Sequence, residues 1–312
     1  MLMKNLTLFR LPPSADIDID EMEEALKKRP FQSCDGLDWF QTGFVAAADH
    51  QPDLLVFRQR GYALIALKRE DKILPAKVIR SHVDREVKAI ETKENTKVGK
   101  KRRAEIKERI TDDLLPKALT KEEITYAYID TKNRWLVVDA TSEKKAGELV
   151  STLREVMPPF PAGLTRTKIG PVSAMTDWLA ASDAPGRFVL DSNCVLQDTG
   201  EAGALVKISR ADLTAEEITQ HIATGKSVTS LGLTWHERIR FTLNEKCQLK
   251  SIQFLDVLLA EAAEGAEDAI ALFESTFTLT TGEISELLAE LVTALGGEDN
   301  DSASSGDDQA DE

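Results

Sequence analysis

The chain has 312 residues, 42% of them hydrophobic and 29% charged, with a formal net charge of −14 at pH 7. That length and balance exclude a fibrous or wholly disordered chain, and predict two or three packed units with apolar surface enough to need no disulfide or metal staple. Three well-separated cysteines (Cys34, Cys194, Cys247), no apolar run near the ~18 residues of a membrane span and no long apolar stretch after Met1 predict a reduced, cytoplasmic protein that does not enter the membrane.

In chain order, residues 4–11 read as an opening strand stopped by Pro12-Pro13, and Asp20 as the cap of a helix over 21–28 closed by Pro30. Residues 31–52, with Gly36, Trp39, Phe40, Gly43 and Phe44, read as loop and strand. Residues 54–57 and 62–68 form a hairpin about Arg60-Gly61. After Pro75 the apolar residues Val78, Val83, Val87 and Ile90 recur near helical spacing, and this helix runs to about 92. A second helix spans 100–113 and stops before Pro116. The pair predicts an αα-hairpin whose apolar stripe is thin, so it projects from the core or packs on another subunit.

Residues 124–129 and 135–140 form a second hairpin, followed by a helix over 142–156 that Pro158-Pro159 stops. Beyond Pro171 come a short helix over 174–181, strands near 187–190 and 204–208, and a helix at 212–222 where Thr214 and Glu217 have capping-box spacing. Strands over 227–235, 239–243 and 249–254 form a meander. Two helices, about 257–275 and 281–295, close the fold, the second with Ile284, Leu287, Leu288, Leu291, Val292 and Leu295 on one face and Gly296-Gly297 as its stop. The tail 298–312 holds seven carboxylates, no Lys or Arg and no apolar residue larger than Ala, and is expected to be disordered. The fold class expected is α+β, built of antiparallel sheets with packed helices.

The sequence carries no GxxxxGKS/T, GxGxxG, HExxH or GxSxG motif. His50, His82, His221 and His236 are scattered and read as surface or packing residues, and Cys34 has no identifiable histidine partner. A nuclease whose carboxylates meet only on folding is the remaining enzymatic reading; the expectation is no catalysis.

The run 97–109 sets seven cations (Lys97, Lys100, Lys101, Arg102, Arg103, Lys107, Arg109) against two glutamates, and Lys117 and Lys121 flank the next turn. Part of the set shares a helical face. Such a face attracts a phosphate backbone, which releases its counterions on neutralisation. It equally reads as a solvated helix steadied by the i,i+4 pairs Lys101–Glu105 and Glu105–Arg109. From the residues alone both readings stand. No aromatic is interleaved, so contact with duplex backbone, independent of sequence, is the form of binding expected.

Several stretches, in one order from end to end, resemble the bacterial RdgC family of recombination-associated proteins. They are Met3-Lys-Asn-Leu6, Glu70-Asp-Lys-Ile-Leu-Pro75, Leu114-Leu-Pro-Lys-Ala118, Tyr128-Ile-Asp-Thr131 and Val137-Val-Asp139. The series continues with 212–219, His221-Ile222, Gly225-Lys-Ser-Val-Thr229, Leu233-Thr-Trp235, Arg238-Ile-Arg-Phe241, Thr281-Gly-Glu283 and Gly296-Gly297. The resemblance implies an α+β fold and a curved subunit that pairs head-to-head and tail-to-tail into a ring-shaped homodimer. It implies DNA binding without sequence preference, with duplex threaded through a positive hole, and antagonism of RecA-promoted strand exchange. A nucleoid-associated location follows, with no cofactor, metal or catalytic residue. By position the family's basic segment falls on Lys97, Lys100 and Lys101, and Lys117 stands where a relative has Arg. Leu119 stands where that relative has Phe. At the tip, Lys207 and Arg210 remain of a Lys/Gln-rich stretch.

The candidate DNA-binding set is therefore Lys97, Lys100, Lys101, Arg102, Arg103, Lys107, Lys117, Lys121, Lys207 and Arg210. The organisation expected is a central α+β region (1–75 with 120–170), a helical hairpin at the base (76–119), a tip-like α+β region (171–256), C-terminal helices on the central region (257–297) and the acidic tail (298–312). A second reading makes the chain an acidic interaction protein that binds a recombinase or another basic partner directly. The tail motivates it, as a partner contact or a mask over the basic face; a solubilising extension is the plainer reading of the same residues.

Overall fold

The computed structural model describes residues 2–15, 17–198 and 203–299, and its strands form a single antiparallel sheet. The chain starts at the sheet's centre. β1 (Leu6–Arg10) pairs along one edge with β6 (Trp135–Asp139). Its other edge is shared by β12 (Leu249–Phe254), through Leu6 opposite Leu249, and by the short β7 (Gly163–Leu164). From β6 the sheet continues through β5 (Leu119–Asp130) and β4 (Tyr62–Ile73) to β2 (Phe40–Val45), while β3 (Val56–Gln59) completes the outer edge of β4. On the far side β12 leads through β11 (Ile239–Asn244), β10 (Lys226–Trp235) and β8 (Phe188–Asp198) to β9 (Leu205–Ser209). The α+β class holds, and the central and tip-like regions share this continuous sheet.

Strand alternation sends side chains to two cores. Leu8, Leu64, Tyr128 and Val137 enter one, covered by α5 (Pro171–Ala181) and α8 (Ala269–Ala294). Phe9, Ile65, Ile129 and Leu136 enter the other, covered by α1 (Ile19–Leu26) and α4 (Glu143–Val156). Strands buried on both faces read as unbroken apolar runs, which made them easy to find. Each such Leu, Ile or Val contributes about 1.5–3 kcal/mol by leaving water. α6 (Glu216–Ala223) packs on β10, and α7 (Asp256–Ala263) on α8.

α8 rests on both halves of the sheet. Phe277 stands edge-on to Phe57, Tyr62 and Tyr128, and the Ser285 hydroxyl donates to buried Asp130 at 2.8 Å. Further along, Glu290 accepts from Trp235 Nε1 at 2.9 Å and from Arg187 Nε at 2.6 Å.

The structure corrects several boundaries. Asp18, not Asp20, caps α1, accepting from the backbone of Asp20 at 2.7 Å and Glu21 at 3.3 Å. Thr214 makes no capping box, because its hydroxyl donates to the Asp212 carboxylate at 2.7 Å and α6 starts behind Ala215; a charged acceptor outcompetes the backbone. The break between the last helices falls at Gly265 (φ 76°), and α8 runs straight through 276–282. There Thr280 and Thr281 satisfy their hydroxyls on the carbonyls of Thr276 and Phe277, both at 2.7 Å, inside a buried face. β8 extends to Asp198 with register shifts opposite Val228–Ser230 and Leu231–Leu233, and those bulges break the alternation by which a strand is read. A Cβ at Gly232 would lie 3.0 Å from the Asn193 carbonyl, so glycine lets the bulged strand approach.

Of the tail, Glu298 is held in place. It bridges to Thr167 and its carboxylate meets Arg10 at 2.6 Å, while the Asp299 amide donates to Arg166 O at 3.1 Å. The expectation of disorder for 300–312 lies outside the described residues.

Candidate nucleic-acid interface

β4 and β5 pair without interruption from Tyr62 opposite Asp130 to Ile73 opposite Leu119. The chain therefore leaves and re-enters the sheet at adjacent strand ends, and 74–118 is an out-and-back insertion. Its helices are α2 (Ala76–Glu94) and α3 (Lys100–Leu114), followed by a 3-10 turn at Leu115–Lys117. Pro75 starts α2, and Asn95 ends it in the left-handed region at φ 48°. The Val98 amide donates to Glu91 Oε1 at 3.0 Å and sets the turn. The hairpin's core is small: Ile79, Val83, Val87, Ile106 and Ile110.

Residues 76–118 hold thirteen Lys or Arg against eight Asp or Glu, a net +5 within a chain of −14. The arginines and lysines divide. Arg102 grips Glu94 with both arms at 2.6 and 2.7 Å, Arg103 meets Asp84, and Arg109 meets Glu86. All three partners lie on α2, so the arginines tie one helix to the other. The bond from Arg102 holds the Glu94 carboxyl below the usual carboxylate range, and the same bond raises Arg102. The expected i,i+4 pairs of Glu105 with Lys101 and Arg109 do not form. For Arg102, the planar guanidinium fork finds a bidentate carboxylate across the helix gap.

The lysines stay free. Lys97 on the turn, Lys100, Lys101 and Lys107 on α3, Lys117 on the 3-10 turn and Lys121 on β5 are exposed, with no carboxylate within ion-pair distance among the described residues. α2 adds Lys77, Arg80, Arg85, Lys88 and Lys93, also exposed and unpaired among the described residues. Reading for a dense run missed these five. Their recurrence at three- and five-residue intervals on a helix was the signal available.

Lys207, on β9, and Arg210, just after it at φ 57°, are exposed but lie elsewhere. Six strands separate β5 from β9 in the sheet order. At ~4.8 Å per strand the two patches are about 34 Å apart. The chain thus carries two separate cationic patches, one on the hairpin and one at β9.

Negative charge is segregated too. From Ser251 onward the chain holds sixteen Asp or Glu and no Lys, Arg or His, so the first 250 residues sum to +2. Several of these carboxylates bind the C-terminal helices to the sheet. Arg238 meets Glu261 at 2.5 Å and Glu283 at 3.0 Å, and Arg187 meets Glu286 at 3.4 Å. Burial raises the Glu283 carboxyl above its ordinary range, whereas the Arg187 bond lowers Glu290.

Among the described residues no three His, Cys, Asp or Glu side chains are placed to hold a metal ion. Burial pushes the Cys194 and Cys247 thiols up to about 11. His50 is packed edge-on against Phe57 and Phe273. No helix among the described residues is long and apolar enough to cross a membrane.

Comparison with known proteins adds a second kind of finding. A family model described as "Putative exonuclease, RdgC" matches residues 1–298. A recombination-associated protein RdgC from Laribacter hongkongensis is 50% identical over 298 residues, 96% of this chain and 99% of its own. Its counterpart in Neisseria meningitidis is 43% identical over 285 residues, 91% and 94% of the two chains. The one from Dechloromonas aromatica is 40% identical over 301 residues, 96% and 98%. The family description names nuclease chemistry, whereas these relatives are named for recombination.

Proposed function

The chain belongs to the RdgC family of recombination-associated proteins, and from that premise we propose that it is a non-catalytic protein that binds duplex DNA without sequence preference. The observation that carries this reading is the hairpin's division of labour. Three arginines hold two helices together, and the lysines around them, with the free cations of α2, face water unpaired. Mobile, unpaired ammonium groups suit a phosphate backbone, which offers charge but no fixed fork. The absence of an aromatic between them fits duplex better than splayed bases.

The same protein is a homodimer in this reading. Leu37, Trp39, Phe40, Ile73 and Leu119 are exposed around the ribbon end from which the hairpin springs. A patch of that kind fits a second copy. Two-fold symmetry doubles the hairpin and tip patches, and closing both ends gives a ring that encircles duplex and restrains RecA-promoted strand exchange. The protein is then nucleoid-associated within the cytoplasm.

Mobility-shift titrations at rising salt test the core of this. Binding that falls steeply with salt, equal for unrelated duplexes, is expected; no shift at low salt overturns it. Incubating the same duplexes with Mg²⁺ or Mn²⁺ tests the nuclease description, which shortened strands would support. The long C-terminal acidic stretch favours the second reading, contact with a basic protein partner. Removing 298–312 decides its share: loss of partner capture with unchanged DNA binding supports it.

A further inference from the structure

On one face of the hairpin the helices leave a groove of about 400 Å³, within the roughly 300–1,000 Å³ common for ligand sites. Ala76, Ile79 and Val83 of α2 and Ala104 of α3 form its floor, and Arg80, Arg103 and Lys107 its rim. It is open because the alanines are too short to fill it and the hairpin core is only a narrow stripe. Arg103 is held by Asp84, but Arg80 and Lys107 have no carboxylate partner among the described residues.

An apolar floor with a cationic rim asks for two things at once. A phosphate backbone satisfies the rim and leaves the floor wet. We propose that the groove receives an acidic amphipathic helix of a partner protein, whose carboxylates meet Arg80 and Lys107 while its apolar side chains cover Ala76 and Ala104 above the nearly buried Ile79 and Val83. Sharing those cations makes this segment and DNA competitors for the hairpin. The competition, though not the groove, rests on the DNA reading above.

The chain's own acidic tail is the wrong occupant. It has no apolar side chain larger than Ala. Its root, Glu298, is held by Arg10, which lies in one row across the sheet with Trp135 and Asp130. The hairpin springs from Leu119, at the other end of β5 and eleven residues away, or about 36 Å at 3.3 Å per residue.

Fluorescence anisotropy on the full-length protein tests the proposal. The probe is a labelled Glu/Ala-rich helical peptide with leucines at i, i+4 and i+7; the control has alanines there at equal charge. The leucine peptide should bind about tenfold or more tighter than the control, and unlabelled it should displace bound duplex. Ala104→Glu, which sets a carboxylate on the floor, should weaken both ligands through its charge, whereas Ala104→Gln, which only fills the floor, should weaken the peptide by a similar factor and leave most duplex binding intact. Arg80→Gln gives an independent loss should the first variant fold poorly. Equal binding of both peptides, or none of either, overturns the proposal. So does a dimer that becomes monomeric on Ala104→Glu, since a second copy would then occupy the groove. Peptide binding without any duplex binding by the unmodified protein would instead sink the DNA reading and leave the groove standing.

Discussion

Ile73 and Leu119 are the last Cα partners of the β4–β5 ladder, and both are exposed, to 47% and 78%. An apolar pair left open at the foot of a cationic hairpin puts the proposed association surface beside the proposed DNA contact. Replacing Leu119 with Glu should therefore open this end of the proposed ring, seen as a dimer that dissociates at higher protein concentration than the unmodified one in size-exclusion chromatography with light scattering, without lowering the melting temperature of the fold. Duplex affinity should fall with it, because one ligand then meets one hairpin instead of two. A variant whose dimer dissociates at the same concentration as the unmodified protein's removes this pair from the interface.

Lysine and arginine changes in the hairpin should be distinguishable. Changing Lys100, Lys101 and Lys107 to Ala should lower the slope of log affinity against log salt by about 2.7 per hairpin, or about 5.4 for a dimer whose two hairpins both meet the duplex, at about 0.9 per phosphate contact. Thermal stability should hardly change, since none of the three has a carboxylate partner among the described residues. Anisotropy titrations across a salt series read the slope directly.

Arg103→Ala and Arg109→Ala should act the other way. Each leaves a carboxylate of α2 without its partner, Asp84 or Glu86. Amide exchange should then quicken across α2 and α3, while protection in β4, β5 and α8 is kept. Lysine at either position should restore part of the protection, because each arginine makes a single contact that an ammonium can also make. Uniform exchange across the whole chain would sink this assignment.

Acid should loosen the joint between α8 and the far half of the sheet. The Glu290 carboxyl is held below its ordinary range, chiefly by the Arg187 bond and, to a lesser extent, by Trp235. Its folded value is thus the lower one, so its contribution is present above the unfolded value of about 4.3 and is lost as pH falls through the folded value. Glu290→Gln should cost about 2–4 °C of melting temperature at pH 7, the shift that about 1 kcal/mol makes in a large domain. That deficit should begin to shrink as pH falls below the unfolded value of about 4.3 and vanish once the carboxyl is protonated in the folded protein as well. A deficit constant with pH would mean that Glu290 acts by packing alone.

Much of the architecture was legible because burial writes a period into the chain. Buried strands such as β4, β5 and β6, and the apolar face of α8, announce themselves by unbroken or helical runs of Leu, Ile and Val. Boundaries were less legible where a hydroxyl or carboxylate chose between acceptors. Asp18 against Asp20, Thr214 bonding Asp212, and the threonines that carry α8 through 276–282 all turn on side-chain geometry. Propensity scales do not contain that geometry.

The basic run is the sharpest case. The sequence by itself determined that 97–109 runs from a short turn into a charged helix, that it belongs to a hairpin, and that its cations outnumber its own acids. The tertiary structure alone decided which cations are available. Arg102, Arg103 and Arg109 find their carboxylates on α2, eight to twenty-three positions earlier, while the lysines between them find none. It likewise decided that Lys207 and Arg210 lie at the other end of the sheet from the hairpin. Charge is a property of residues and is read from a chain; pairing depends on distances of a few ångströms, and only the folded backbone sets those.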